Sequence, residues 1–356
     1  MKILIVCDQH FGKGNADKNL LNNQKKFYDN VLFPLIDERG ITTIIDLGDT
    51  FDKRQYVHFY TLDRANEMWF EPVNKRGMEY YVIAGNHTVV YKSTNKLNSH
   101  DSLKYTDSWN YKHYSEPTEI TIDGTKILLL PWINKENEKR SLNMIKNSSA
   151  SICMGHLELT GFEMDVAGQV SDSGLKASVF DKFSIVLSGH YHHKSNMDDI
   201  HYLGAPAQFD WGDCDDPRGV HIFDTDTLEL EFIENPYNLY EKIIYNDEDN
   251  DYSDLITDTS WADELEDKYI KVIVEKRKDQ DMLDSLISII ENSGVLKVDI
   301  VNNHLQDLDE DTEVEVDELK DTVEIMKKYC EKIEKKKEVL EVLTELYDEA
   351  QELKSV

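Results

Sequence analysis

Short apolar runs that stop at clusters of glycine, aspartate, asparagine or histidine recur through the first 230 residues of this chain. The runs at 3–6, 41–47, 80–84, 127–130, 152–154 and 185–187 are rich in Ile, Val, Leu or Tyr. Continuous apolar segments bounded by turn formers predict strands buried on both faces. Between several of them lie amphipathic stretches. From 19 to 37, Leu20, Leu21, Phe27, Val31, Leu32, Leu35 and Ile36 recur at helical spacing. Strands alternating with helices predict a layered α/β core.

Beyond residue 200 the pattern changes. Apolar runs at 201–203, 220–223 and 228–232 follow one another closely and predict an antiparallel end to the sheet. The acidic stretch 246–254 has little to bury and reads as a linker. Two further strands, 269–274 and 296–301, flank a helix over 282–292 that ends at Gly294, a small α+β unit. Residues 304–312 are again acidic and loop-like. In the last forty residues, Val316, Leu319, Val323, Met326, Cys330 and Ile333 alternate steps of three and four, resumed by Leu340, Leu343, Tyr347 and Ala350. That spacing predicts one long amphipathic helix or a pair with a tight break. The expected units are therefore 1–240, 255–305 and a helical tail at 314–356.

Composition narrows the function. Lys and Arg number 39 against 70 Asp and Glu, a net charge of −31, of which −20 falls after residue 240. A chain so acidic does not coat nucleic acid by bulk positive charge, although a local basic face is compatible with it. The 40% hydrophobic content supports a packed core. No apolar run reaches the ~18–20 residues needed to cross a bilayer, and the opening MKILIVC reads as a first strand rather than a signal. Cys7, Cys153, Cys214 and Cys330 form no Cys-x-x-Cys pair and read as isolated core residues in a reducing compartment. The expectation is a soluble cytoplasmic protein with no membrane association.

The chemistry sits where the apolar runs end. Asp8-Gln9-His10, Gly48-Asp49, Gly85-Asn86-His87, Gly155-His156 and Gly189-His190-Tyr191-His192 offer carboxylate, amide and imidazole ligands suited to manganese, iron or zinc. In open α/β sheets, ligands collect outside the carboxyl ends of the strands, so the five segments can converge. Seven ligand-capable side chains, Asp8, His10, Asp49, Asn86, His156, His190 and His192, are too many for one ion and predict two. A carboxylate readily bridges cations, and Asp49 is the expected bridge. Such a pair activates water and stabilises the entering and leaving oxygens at phosphorus. His87, beside a ligand, is then placed to contact the phosphate or protonate the leaving oxygen.

The ordered series D-x-H, G-D, G-N-H, G-H and G-H-x-H resembles the calcineurin-like metallophosphoesterases over roughly the first 210 residues. Within that superfamily the chain is most similar to the SbcD-type double-strand-break repair nucleases. Asp8-Gln9-His10-Phe11-Gly12, Gly48-Asp49-Thr50-Phe51-Asp52 and Tyr202-Leu203-Gly204-Ala205-Pro206 carry that similarity. The resemblance implies a two-sheet α/β sandwich flanked by helices, a small α+β capping domain and a C-terminal helical tail. It implies that Asp8, His10, Asp49 and His192 hold one ion, and Asp49, Asn86, His156 and His190 the other. It also implies manganese as the metal, His87 in transition-state stabilisation, and a homodimer. The tail would bind an SbcC-like coiled-coil ATPase. Two departures stand out: Thr88 follows His87 where the family usually has Asp, and Asp52 stands where some members carry His.

The expected activity is a DNA nuclease, an exonuclease on duplex ends and an endonuclease on single strands. Lys13, Lys53, Arg54, Lys92 and Lys96 are candidate DNA contacts beside the ligands, with Lys18 and Lys104 nearby. Weak, salt-sensitive DNA binding by the chain alone is expected, a partner supplying further contacts. Two other readings are a phosphomonoesterase or cyclic-nucleotide phosphodiesterase on the same centre, and a non-catalytic assembly subunit. His58, His100, His113, His193, His201, His221 and His304 fit no cluster and are expected at the surface or the core edge.

Overall fold

The computed structural model describes residues 1–102 and 109–302; Lys104, His304 and the predicted tail at 314–356 lie outside the described residues. Each of the six apolar runs forms a strand: Lys2–Val6, Thr43–Asp46, Glu79–Ile83, Thr125–Leu130, Ile152–His156 and Ile185–Gly189. They divide equally between two six-stranded sheets. In the first, Lys2–Val6, Thr43–Asp46, Glu79–Ile83 and Tyr111–Tyr114 run parallel, and Gly219–Asp224 and Leu230–Glu234 complete it antiparallel to their neighbours. In the second, Thr125–Leu130, Ile152–His156, Ile185–Gly189 and Ile200–Tyr202 are parallel, with Thr118–Ile122 and Ser195–Met197 antiparallel at the edges.

Alternation of side chains along each strand sorts the core into layers. Ile3, Ile5, Ile45, Ile83, Ile127, Leu129, Met154 and Leu187 interleave between the two sheets. Leu4, Val6, Ile44 and Val82 point the other way, into a helical layer rich in aromatics. Leu128, Leu130, Cys153 and Val186 face a second outer layer containing Ile145, Phe162 and Phe180. The described residues thus form the layered α/β core that the pattern predicts, in the sandwich flanked by helices that the resemblance implies. Cys7, Cys153 and Cys214 are buried free thiols.

The predicted helix over 19–37 spans Lys18–Phe27, a π turn at Tyr28–Leu32, and Phe33–Arg39. A second helical run, Phe59–Ala65, Asn66–Phe70 and Glu71–Lys75, repeats the device. Each π turn runs directly into a segment with proline at its second position, Pro34 and Pro72. Proline donates no N–H and crowds the carbonyl four residues back, and a widened turn relieves both. The two π turns pack Tyr28 against Trp69 with ring centroids 4.9 Å apart.

One topological expectation fails. Ile200–Tyr202 does not join an antiparallel end with Gly219–Asp224; it lies parallel to Ile185–Gly189 in the other sheet. After the ligand loop the chain first forms the edge strand Ser195–Met197, turns back at Asp198 with φ +50°, and returns beside the ligand strand. The other two runs, in Gly219–Asp224 and Leu230–Glu234, do pair antiparallel at the end of the first sheet.

The small unit is a three-stranded parallel sheet with the helix Gln280–Asn292 capped by Asp279. It takes its first strand from Tyr240–Asn246, ahead of the predicted start at 255, and the stretch 246–254 begins on that strand and ends inside the short helix Ser253–Thr257 rather than acting as a simple tether. Leu20, Phe209 and Leu239 cluster with Tyr269 and Leu296, joining it to the sandwich, and Asn19 Nδ2 donates to Tyr269 Oη at 2.8 Å.

His221, expected at a core edge, is 6% exposed on Gly219–Asp224 and packs on Phe232. Burial, with Lys194 and His201 adding to it, pushes its pKa down to about 3. An unfolded histidine takes up a proton near pH ~6.5. Between these values the unfolded chain binds the extra proton, so native stability falls as pH is lowered through that window. His221→Gln should flatten the acid limb of urea-unfolding stability by at most about 1.4 kcal/mol per pH unit between pH ~6.5 and ~4. Parallel slopes for the two proteins would contradict this.

Candidate metal centre

Five parallel-running strands end at one rim. Lys2–Val6 delivers Asp8 and His10, Thr43–Asp46 delivers Asp49, and Glu79–Ile83 delivers Asn86 and His87. From the second sheet, Ile152–His156 contributes its own last residue, and Ile185–Gly189 delivers His190 and His192. The loops lock across the gap through backbone hydrogen bonds from Asp8 N to Gly48 O, His10 N to Asp49 O and Phe11 N to Thr50 O, each 2.9 Å.

The backbone is strained where the ligands sit. Asp8, His10, Asp49 and His190 have φ of +50°, +44°, +54° and +95°. Non-glycine residues rarely adopt this left-handed region, and such outliers persist where surrounding structure over-determines them. Gly85 allows the closest approach: a Cβ there would lie 2.1 Å from Asp49 Oδ1. Thr88 braces the same turn, its hydroxyl accepting from Gly85 N at 2.9 Å and donating to Gly85 O at 3.0 Å.

The side chains converge on one another. His156 Nδ1 donates to the Leu47 carbonyl at 2.8 Å, so in the neutral ring Nε2 is a bare acceptor. That Nε2 faces Asn86 Oδ1 at 2.7 Å and Asp49 Oδ2 at 3.3 Å. His190 Nδ1 lies 3.0 Å from the same Asn86 oxygen, and its buried Nε2 has no hydrogen-bond partner among the described residues. His10 Nε2 and His192 Nε2 face each other at 3.0 Å, and His10 Nε2 is 4.0 Å from Asp8 and 3.8 Å from Asp49. Three sets bring one ligand atom each within 4.8 Å of the others: His10 with Asp52 and His87, and two that contain Asp8, one with His10 and His192 and one with Asp49 and His156. A buried group of mutually facing acceptors is the donor set that divalent cations require.

Titration follows from this crowding. Burial raises the Asp8 carboxyl to about 7. Burial also pushes against ionisation of Asp49, but His156 and His87 outweigh it and hold that carboxyl well below the usual range. Burial opposes the charged form of His156 too, yet the facing Asp49 lifts it to about 9. Burial pushes His190 down to about 3 and His192 well below the ordinary value, favouring the neutral, ligating form.

His87 lies beside the cluster. Its Nδ1 donates to the Asp52 carbonyl at 2.8 Å and its backbone N–H donates to Asp49 Oδ1 at 2.8 Å. Asp52 Oδ1 sits 3.4 Å from His10 Nδ1, so one residue touches both histidines. Lys53 at 3.2 Å and Lys13 at 3.9 Å neutralise that carboxylate. Arg54 is half-buried and Lys92 is exposed, whereas Lys96 is paired with Glu136.

Beneath the loops lies a polar network that the sequence pattern does not signal. Asp46 accepts from Gly48 N, Gln9 Nε2, Thr50 Oγ1 and Tyr80 Oη at 2.9, 3.0, 2.9 and 2.5 Å. Gln9 accepts from Tyr28 Oη at 3.0 Å, and Thr50 reaches the buried His100 at 3.5 Å. Asp46 and Gln9 fall inside or beside apolar runs, and only their spacing to the ligands could have marked them. His100, expected at the edge, is 2% exposed. His193 pairs with Asp216 at 3.0 Å, away from the cluster, and His58 caps the helix at Phe59–Ala65 by accepting from Tyr60 N.

Two stacked sheets with carboxylate, amide and imidazole groups at one rim define a metallophosphoesterase. The match of residues 1–194 to the family described as calcineurin-like phosphoesterase shows that the chain belongs to it. Exonuclease subunit 1 of Enterobacteria phage T4 is 35% identical over 247 residues, 69% of this chain and 71% of that protein. Among solved structures, an archaeal phosphodiesterase is similar at 16% identity, covering 66% of this chain and 99% of that one, with a TM-score of 0.34. GAP50, the anchor in the inner membrane complex of Plasmodium, is similar at 12% identity over 66% and 85%, with a TM-score of 0.42. Among the described residues, no helix is long and apolar enough to cross a membrane.

Gly85→Ala should abolish tight divalent-metal binding measured by calorimetry, because the new methyl displaces the Asp49 carboxylate. Circular dichroism should show a folded protein. Unchanged affinity would mean that Asp49 is not a ligand.

Proposed function

We propose that this chain is the DNA nuclease subunit of an SbcCD-like recombination or repair complex. It hydrolyses DNA phosphodiester bonds, degrading duplex ends as an exonuclease and cutting single strands as an endonuclease. The observation that carries the reading is the buried meeting of Asp8, His10, Asp49, Asn86, His156, His190 and His192 as facing acceptors. The likeness to a phage exonuclease subunit supports DNA as the substrate.

Asp8, His10, Asp49 and His192 would hold one manganese ion, and Asp49, Asn86, His156 and His190 the other. Bound there, the ions would polarise the phosphate and lower the pKa of the attacking water. The protein's own part is orientation and proton handling. Asp52 fixes the His10 ring from behind, as a carboxylate does for a ligating imidazole. The Asp52 carbonyl keeps a proton on His87 Nδ1. So held, His87 would be placed to contact the phosphate or to protonate the departing oxygen. Lys13, Lys53, Arg54 and Lys92 would contact flanking phosphates; Lys96, engaged with Glu136, contributes less.

The helical tail at 314–356 would dock on the coiled coil of an SbcC-like ATPase, the small unit 255–305 would cap the site, and the complex would work in the cytoplasm. A homodimer formed through helices of the catalytic unit would cover Phe59, which is 87% exposed at a helix start.

The purified chain, given manganese or magnesium, should degrade end-labelled duplex and single-stranded DNA. Turnover of a chromogenic phosphoester with DNA left intact would overturn the proposal. His87→Ala should lower kcat about 10²- to 10⁴-fold while metal content, measured by elemental analysis, stays at the wild-type level. A variant with full activity would remove His87 from the chemistry. Deleting residues 314–356 should abolish co-purification with the ATPase and preserve manganese-dependent cleavage of short oligonucleotides; retained association would place the contact elsewhere.

A further inference from the structure

Trp132 lies beside the metal-ligand cluster and also lines a groove of which the reading above uses only Lys92, at its edge. Its ring centroid is 5.2 Å from His190 and 6.2 Å from His156. The groove, of about 860 Å³, is lined by Trp132, Ile133, Leu157 and Leu175, with Lys92 and Lys135 among its polar residues.

The backbone of Trp132 is held from three directions. Its N–H donates to the Ala84 carbonyl at 2.8 Å, on the loop that carries Asn86. Its carbonyl accepts from Asn95 Nδ2 at 2.8 Å and Asn137 Nδ2 at 3.0 Å. Asn95 also accepts from Asn134 Nδ2 at 2.8 Å, and Asn137 Oδ1 accepts from Asn134 N at 2.9 Å. All three asparagines are at least 92% buried. A buried polar brace of this kind fixes geometry, because each member left unpaired would be costly. It fixes a tryptophan whose ring is only partly buried.

Charge decides what would lie on that ring. Glu138 and Glu158 line the groove together with Lys92 and Lys135, so it has no net positive field with which to hold a run of phosphates. It offers flat aromatic and aliphatic area next to the site of hydrolysis. We infer that this groove is a nucleobase subsite, in which Trp132 stacks the base of a nucleotide neighbouring the cleaved bond in single-stranded DNA. The inference rests on the nuclease reading and adds how that substrate is gripped. Stacking tolerates any base, so the subsite favours unpaired strands over duplex without reading sequence.

The test couples protein and substrate. Binding and cleavage of a single-stranded oligonucleotide are compared with those of oligonucleotides carrying one abasic residue at successive positions around the cut, using wild type, Trp132→Phe and Trp132→Ala. Wild type should lose about five- to 150-fold in affinity at one abasic position. Trp132→Ala should lose a similar factor on the intact strand and nothing further at that position, and Trp132→Phe should lie between. Equal abasic losses in wild type and Trp132→Ala would overturn the subsite, and so would failure of the wild type to bind single strands. Binding with the expected coupling but no cleavage would uphold the subsite and overturn the nuclease reading instead.

Discussion

Mutual exclusion among buried acceptors governs this molecule. Asp8, Asp49 and Asn86 present oxygens, and His10, His156, His190 and His192 present nitrogens, to a space from which water is largely removed. Brought together alone, such groups lose hydration and gain no partner. The elevated Asp8 value expresses that cost, since burial favours its neutral protonated form, whereas His156 is raised because its charged form pairs with the facing Asp49 carboxylate. Divalent cations held there would turn the same arrangement from a liability into a binding site. Metal affinity and protonation are therefore two sides of one equilibrium.

Holding acceptors in that arrangement requires a rigid frame, and the sandwich supplies it. The ligands project from short loops at the ends of five central strands, whose register is fixed by apolar side chains packed on both faces. Positive φ at four ligand residues is tolerated because the loops hydrogen-bond to one another and to Asp46 beneath them. Asp46 gathers four donors, and its neighbours Gln9 and Thr50 extend the network to Tyr28, Tyr80 and His100. The aromatic helical layer is thereby tied by polar contacts to the loops that carry the chemistry.

The strongly acidic composition is compatible with a nucleic-acid substrate once charge is located. Carboxylates dominate after residue 240, whereas Lys13 and Lys53 pair with Asp52 beside the cluster and Lys92 lines the adjoining groove. Asp52 shows the same local logic. It is a carboxylate flanked by two lysines that orients one histidine with its side chain and another with its backbone carbonyl.

Much of this was legible in the chain itself. Hydrophobic periodicity located the six central strands to within a few residues, because a strand buried on both faces must be apolar without interruption. The residues that meet at the rim were equally visible in the sequence, because each polar cluster ends an apolar run. The tertiary structure alone decided the rest. It placed Ile200–Tyr202 in the second sheet, recruited Tyr240–Asn246 to the small unit, and introduced the π turns ahead of Pro34 and Pro72. It set Asp46, Asp52 and Trp132 around the cluster. Strand pairing and hydrogen-bond partnership depend on distances between residues far apart in sequence, and local pattern carries no information about those distances.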